Sequence, residues 1–154
     1  GIEKNVESKS IISFSDILPT IIDLAGNKIK NDKYLDGGSL KNVLENYKMN
    51  KILRNDEGIV FHVPYENGIA LKRAHSAIRL DNFKLIKFYD NGQLMLFDLD
   101  NDLGEKNDLS SSNSSKTLKL ELLLDNYLKK VKAPKWKPGV HWRQTPIKKI
   151  NSFH

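Results

Sequence analysis

The segment from residue 74 to residue 99 constrains the fold more than any other stretch of the chain. Ala74-His75-Ser76-Ala77-Ile78-Arg79-Leu80 runs into Asp81-Asn82, a turn pair, and Phe83-Lys84-Leu85-Ile86-Lys87-Phe88-Tyr89 then alternates apolar and basic residues. Asp90-Asn91-Gly92 follows, with the Asn-Gly pair that a two-residue type I′ hairpin favours because both central residues need positive φ. Gln93-Leu94-Met95-Leu96-Phe97-Asp98-Leu99 returns. Connections this short leave no room for a crossover, so neighbouring strands must pair antiparallel. The expectation is a meander, with Gly58-Ile59-Val60-Phe61-His62-Val63 as one more strand.

Helix signals flank this sheet. Between Ser15 and Gly26, Ser15 or Asp16 serves as a cap, Pro19 falls in the first turn, and Gly26 suits a left-handed C′ position. Ile17, Leu18, Ile21, Ile22 and Leu24 give a broad apolar face, which predicts a buried helix. After Asp36-Gly37-Gly38, Ser39 caps a short helix reaching about Glu45, with Leu40, Val43 and Leu44 on one side. The Asn- and Lys-rich stretch 46–56 reads as an exposed connection. A longer helix is predicted from about Lys116 to Val131, with Leu118, Leu122, Leu123, Tyr127 and Leu128 as its inner face. Beyond Ala133, Pro134, Pro138, Gly139 and Pro146 interrupt regular structure, and Trp136 and Trp142 are expected to anchor the tail on a surface. The fold class expected is α+β. A small antiparallel sheet of three to four strands packs against a long C-terminal helix and is preceded by two short helices.

Composition excludes more than it assigns. The net charge of +6 comes from a late excess of lysine, at Lys129, Lys130, Lys132, Lys135, Lys137, Lys148 and Lys149, with Arg143. A solvated basic tail is the plain reading, and an anion-facing surface the other. Before residue 128 the basic residues alternate with acidic ones, so no clustered basic face for nucleic acid is expected. The chain has no cysteine, which removes disulfides, zinc-thiolate sites and thiol nucleophiles. No apolar run approaches the roughly 20 residues of a membrane-spanning helix. The start at Gly1, without a signal peptide, is expected to mark a piece of something longer.

Catalytic constellations are absent from the sequence: no Gly-x-Ser-x-Gly, no phosphate loop, no His-Glu-x-x-His and no dinucleotide fingerprint. Asp98, Asp100, Asp102 and Gly104 superficially suggest a calcium loop, but the glycine comes one residue late and Leu109 stands where a glutamate is required. Asn113-Ser114-Ser115 matches a glycosylation sequon, which has meaning only in a eukaryotic secretory setting. Four histidines remain. His141 and His154 lie in the tail, where a surface role is the default. His62 sits on a strand beside Pro64 and Tyr65. His75 and Arg79 fall on one face of the next strand, because positions two apart point the same way. Two such groups suit a sulfate or a sugar, and equally suit a solvent-exposed sheet face.

Four blocks, in order, carry a family resemblance. Ser13-Phe14-Ser15-Asp16-Ile17-Leu18-Pro19-Thr20-Ile21-Ile22-Asp23-Leu24-Ala25-Gly26 resembles the sulfatase pattern of an apolar residue, Asp, two apolar residues, Pro-Thr, then Leu-Ala-Gly. Leu35-Asp36-Gly37-Gly38-Ser39-Leu40 is similar to the family's Asp-Gly-x-Ser-Leu, and Ser76–Ile86 to its Ala-Ile-Arg-x-Gly-Asp-aromatic-Lys-Leu-Ile strand pair. Leu96–Leu109 resembles Leu-Tyr-Asp-Leu-x-x-Asp-Pro-x-Glu-x-x-Asn-Leu, with Leu103 where Pro is usual and Asp108 where Asn is usual, while Asn82 replaces Asp in the preceding block.

The resemblance is to the carboxy-terminal part of arylsulfatase-type enzymes of the alkaline-phosphatase superfamily, and it implies several things. Such enzymes hydrolyse sulfate esters with a formylglycine made in a Cys/Ser-x-Pro-x-Arg motif, beside a calcium ion. Both belong to an amino-terminal catalytic domain of the same polypeptide, so no catalytic residue, metal ligand or cofactor is expected in this chain, which should be inactive alone. Residues 1–50 would close the catalytic domain, 51–132 would form the carboxy-terminal subdomain, and 133–154 a packed tail. The acidic stretch Asp98–Asp108 would be structural. The loop Pro64–His75 would help shape the pocket, with His62, Tyr65, His75 and Arg79 as substrate-binding candidates. A sulfated glycan would be the substrate, in a periplasmic or secreted bacterial setting. Two alternatives stay open: a stand-alone anionic-glycan binding module using the basic tail and the His75/Arg79 face, and a fragment of a related phosphodiester or phosphonate hydrolase.

Overall fold

The computed structural model describes residues 2–27, 35–49, 51–66 and 72–138. The chain divides into two compact units, 1–57 and 58–154. The first is organised around a carboxylate. Ser13 and Asp16 form a capping box around a 3-10 turn, Phe14–Asp16, which feeds helix α1, Ile17–Leu24. The Asp16 side chain is fully buried. It accepts from the backbone N–H of Ser13 at 2.7 Å and of Gly38 at 2.9 Å, and from Arg54 through Nε at 2.9 Å and a terminal nitrogen at 2.6 Å. Burial pushes this carboxyl upward, but the Arg54 guanidinium and the two amides outweigh it and hold the group below its ordinary value. Thr20, one turn on, donates to the Asp16 carbonyl at 2.6 Å and accepts from the Leu40 N–H at 2.9 Å. The Gly37-Gly38 pair is required by close approach: a Cβ at Gly37 would lie 2.0 Å from the Ser15 carbonyl oxygen, and one at Gly38 2.0 Å from that of Leu53. Helix α2, Lys41–Glu45, follows.

Two expectations for this unit are corrected. α1 ends as its sequence predicts, at Gly26 with φ +73, but it is not a buried helix. Only Pro19 and Thr20 are buried within it, while Leu18 and Ile21 are 54% and 59% exposed and Phe14, just ahead, is 91% exposed. The polar stripe of Asp16 and Thr20 faces the unit's interior, which turns the apolar stripe outward. Helical periodicity identifies a stripe without saying which side is covered. The segment 46–56 is likewise more than an exposed connection, because Ile52 is buried and Arg54 neutralises Asp16.

The second unit is the predicted α+β arrangement. Strands β1 (Ile59–Val63), β2 (His75–Leu80), β3 (Phe83–Phe88) and β4 (Leu94–Asp98) form a four-stranded antiparallel sheet in sequence order. Asp81, at φ +53, makes the tight turn between β2 and β3. The β3–β4 connection differs from the expected two-residue turn. Phe88 donates to the Gln93 carbonyl at 2.9 Å, and in the intervening loop only Gly92 takes positive φ, so Asn91 does not supply a type I′ turn. Arg73 fastens this loop with a two-pronged ion pair to Asp90, at 2.8 and 2.7 Å, and stacks 3.8 Å from the Phe88 ring centre.

Helix α3, Ser114–Lys130, is capped by the Asn113 side chain and covers one face of the sheet. Ile78, Leu85 and Leu96 of the sheet meet Leu120 and Leu124 of the helix, all 0% exposed. The inner face is therefore Thr117, Leu120 and Leu124, flanked by Leu123 and Leu128, while Leu118 and Leu122 are exposed. That corrects the predicted face. With leucines on every side of this helix, spacing alone left its orientation ambiguous. Ala77, Ile86, Phe88, Phe97 and Leu99 make a second cluster on the opposite side of the sheet. The carboxylates of 98–108 close turns: Asp98 accepts from Asp100 N–H and the Asn101 and Asn82 amides, Asp102 from the N–H groups of Lys106 and Asn107, and Asp108 from those of Leu96 and Ser110.

Leu124→Ala is expected to cost about 3 kcal/mol, as for other leucines removed from a closed core, measured by urea unfolding. Asp16→Ala leaves Arg54 without its buried partner and should cost about 3 kcal/mol. Because the folded-state pKa of Asp16 is depressed, its contribution is present above the ordinary carboxylate value and is lost as pH falls through the lower folded value. The Asp16→Ala chain should therefore show a shallower acid limb below pH ~4 than the parent in a melting-temperature series.

Candidate functional site

The strand register decides where the candidate residues go. His62 pairs with Ser76, whereas His75 pairs with Val63 and Phe88, and Arg79 with Ile59 and Lys84. Paired residues share a face, so His62 and Ser76 lie on the side covered by α3, and His75 and Arg79 on the opposite side. The structure thus brings His75 and Arg79 to one face and separates His62 from them. Tyr65 is half-buried just past the end of β1, and residues 67–71 of the Pro64–His75 loop lie outside the described residues. His141, His154 and Trp142 also lie outside them.

His62 belongs to a closed hydrogen-bond chain. One ring nitrogen, Nε2, is 2.8 Å from the Pro134 carbonyl oxygen. A carbonyl only accepts, so Nε2 carries the proton in this bond and Nδ1 is left as an acceptor. Ser76 Oγ, 2.6 Å away, donates to Nδ1, and the Tyr89 hydroxyl donates to Ser76 at 2.6 Å. Every group in the chain Tyr89–Ser76–His62–Pro134 is satisfied with a neutral imidazole. Burial pushes the His62 pKa below its ordinary value, against the opposing pull of the Pro134 bond, and pushes the Tyr89 hydroxyl up. The arrangement ties the segment after α3 to the sheet. Ser76 is fully buried, so it is a structural relay and offers no accessible nucleophile.

On the other face, His75 is buried with Nδ1 donating to the Arg73 carbonyl at 2.7 Å and its ring 6.0 Å from that of Phe88. Arg79 presents a buried Nε with no hydrogen-bond partner among the described residues. A buried guanidinium N–H without an acceptor is costly, which marks Arg79 as the group on this face most in need of an anionic or carbonyl partner. Among the described residues, no three His, Asp or Glu side chains come together to hold a metal. The sequence reading did not anticipate Ser76 and Tyr89. Strand alternation puts 62, 76 and 89 on one side only once the register of three strands is known.

Comparison with known proteins fits this architecture. A family model described as N-sulphoglucosamine sulphohydrolase, C-terminal, matches residues 1–133. An N-acetylglucosamine-6-O-sulfatase of Bacteroides thetaiotaomicron is 31% identical over 135 residues, which is 86% of this chain and 24% of that protein. A sulfatase of Formosa agariphila is 32% identical over 126 residues, covering 74% of this chain and 22% of its own length. A solved structure in complex with its substrate D-glucosamine-2-N,6-O-disulfate aligns at 30% identity with a TM-score of 0.57, covering 76% of this chain and 24% of that one. A 2-O glycosaminoglycan sulfatase aligns at 27% identity with a TM-score of 0.58. The chain spans about a quarter of the length of the relatives it matches.

With the His62 pKa depressed in the folded state, the unfolded chain binds the proton more readily. Stability from this residue is full above about pH 6.5 and declines as pH falls below it. The melting temperature should drop between pH 7 and pH 5, and His62→Gln should flatten that interval, as read by a thermal series.

Proposed function

The chain belongs to the sulfatase C-terminal family described as N-sulphoglucosamine sulphohydrolase, and from that membership we propose that it works as the pocket-shaping carboxy-terminal subdomain of an enzyme hydrolysing sulfate esters on glycans. The observation that carries this reading is the match over residues 1–133 combined with coverage of only about a quarter of each relative. Relatives named as acting on sulfated glucosamine support an amino-sugar substrate. The reacting groups belong to the part of such a protein outside this chain. The residues here do not fit a calcium or formylglycine site: the acids of 98–108 are engaged by turn amides, and no Cys/Ser-x-Pro-x-Arg occurs. No step of the hydrolysis is assigned to them.

What this chain contributes is shape and charge. Arg79 supplies N–H groups from a rigid strand, with His75 beside it on the same face, and a charge-assisted bond to a sulfate is stronger than a neutral one. Tyr65 and the Pro64–His75 loop would form the rim beside them. His62, held by Pro134 and Ser76, would act by fixing β1 beneath that loop. The amino-terminal catalytic domain is the partner, and the outward apolar face of Phe14, Ile17, Leu18, Ile21 and Leu24 is the surface it would cover, since so much clustered apolar area seldom stays in water. The bacterial relatives from Bacteroides and Formosa, together with a glycan substrate, support a periplasmic or secreted bacterial setting. Among the described residues, no helix is long and apolar enough to cross a membrane.

The chain alone should release no sulfate from an aryl sulfate, and turnover by it would end this reading. Joined to its upstream catalytic domain, Arg79→Ala should lower kcat/KM on a sulfated amino sugar about tenfold, roughly 1.4 kcal/mol of lost stabilisation, with the melting temperature unchanged.

A further inference from the structure

At the carboxy-terminal end of α3 lies a cavity of about 590 Å³, a volume within the roughly 300–1,000 Å³ range of small-molecule sites. It is built entirely within the second unit. Leu128, Ala133 and Pro134 make its apolar wall, the Trp136 ring adds a flat surface, and Tyr89, His62 and Asp125 stand beside them. Lys129, Lys132 and Lys135 surround it. Asp125 is the one acid in the lining, and it is engaged by Lys87 at 2.8 Å. None of the three lysines has a carboxylate partner among the described residues, so the cavity carries uncompensated positive charge.

Two further features mark the place as built for contact. The Trp136 indole N–H is buried without a hydrogen-bond acceptor among the described residues. Lys132 occupies the left-handed region, at φ +52, where the helix turns off and glycine is the ordinary residue. A side chain there costs about 1 kcal/mol of backbone strain. Lys132 is one of the residues that line the cavity.

We propose that this cavity binds an acidic sugar unit, with the apolar face of the ring against Trp136 and its sulfate or carboxylate among Lys129, Lys132 and Lys135. The lining matches that chemistry. A sugar ring has an apolar C–H face that a tryptophan platform covers, and hydroxyls that need fixed polar partners. The Tyr89 oxygen, already donating to Ser76, still has a lone pair to accept a hydroxyl, and the Asp125 carboxylate can accept a second. The ammonium groups are point charges that attract an anion without dictating its geometry. The closed chain through His62 and Pro134 holds the far wall in place, so the cavity is formed before a ligand arrives. The choice of a sulfated amino sugar over other acidic sugars rests on the glycan-sulfatase reading, while the aromatic and cationic lining stands without it.

The test is a titration of the 154-residue chain with D-glucosamine-2-N,6-O-disulfate, followed by amide chemical shifts, with glucosamine and inorganic sulfate as comparators. Saturable shifts are expected at Tyr89 and across 125–136, stronger than with either comparator. Trp136→Ala should abolish them. Lys132→Gly should weaken binding about threefold, the worth of one exposed ion pair, while the melting temperature holds or rises. That second variant separates lost binding from lost folding. Equal binding of inorganic sulfate, an undiminished titration in Trp136→Ala, or shifts confined to His75 and Arg79 would each overturn the cavity assignment. Those outcomes leave the pocket-rim reading intact, because that reading stands or falls on turnover by the joined protein.

Discussion

The dry seam between the sheet and α3 is the constraint on which the second unit rests. Ile78, Leu85 and Leu96 on three successive strands present their side chains to Leu120 and Leu124, and none retains contact with water. A four-stranded meander cannot hold itself together on backbone hydrogen bonds, which largely replace bonds to water. Removal of apolar area on one face supplies the stability, and it dictates the register, since a slip of one residue would turn each of these side chains away. Everything functional is hung on that register. It sets His75 and Arg79 on one side of the sheet and His62, Ser76 and Tyr89 on the other.

In the first unit a buried charge plays the organising part. Asp16 gathers the Ser13 turn, the Gly38 backbone and Arg54 around one carboxylate, and Thr20 adds Leu40. A buried ion pair of this kind specifies an arrangement more than it stabilises one, because desolvation offsets much of the attraction. The two sequence blocks of this unit that resemble sulfatases include the residues meeting there: Ser13, Asp16, Thr20, Gly37 and Gly38. Their pattern reflects a packing requirement. The glycines have no space for a Cβ, and the Asp must accept four hydrogen bonds in the absence of water.

Function, on this account, is divided between a scaffold and what the scaffold exposes. The outward apolar stripe of α1, the Arg79 Nε, without a partner among the described residues, and the lysine-lined cavity at the end of α3 are places where the chain leaves chemistry unsatisfied. Other polar groups among the described residues are closely matched. Asp98, Asp102 and Asp108 cap turns, Lys87 bridges Glu121 and Asp125, and Lys84 meets Glu105 at 2.6 Å. The contrast between matched and unmatched groups is what directs attention to those places.

Local order was legible in the sequence. Alternation from 74 to 99 determined the meander, Gly26 the end of α1, and the leucine-rich run from about Lys116 a long helix; the shared face of His75 and Arg79 followed from alternation alone. Four ordered motif blocks determined the family. Orientation was not legible. The apolar stripe of α1 faces outward because Asp16 and Thr20 claim the interior, and α3 turns Leu120 and Leu124 inward though leucines lie all round it. The Asn91-Gly92 pair forms a longer loop because Arg73, from before β2, clamps Asp90 and Asn91. Arg54 and Asp16, and His62 and Pro134, lie 38 and 72 residues apart. Periodicity and capping act within a few residues and are written into the chain. Which of two stripes is covered, and which distant charge or carbonyl meets a buried polar group, depends on partners that only the folded backbone brings near.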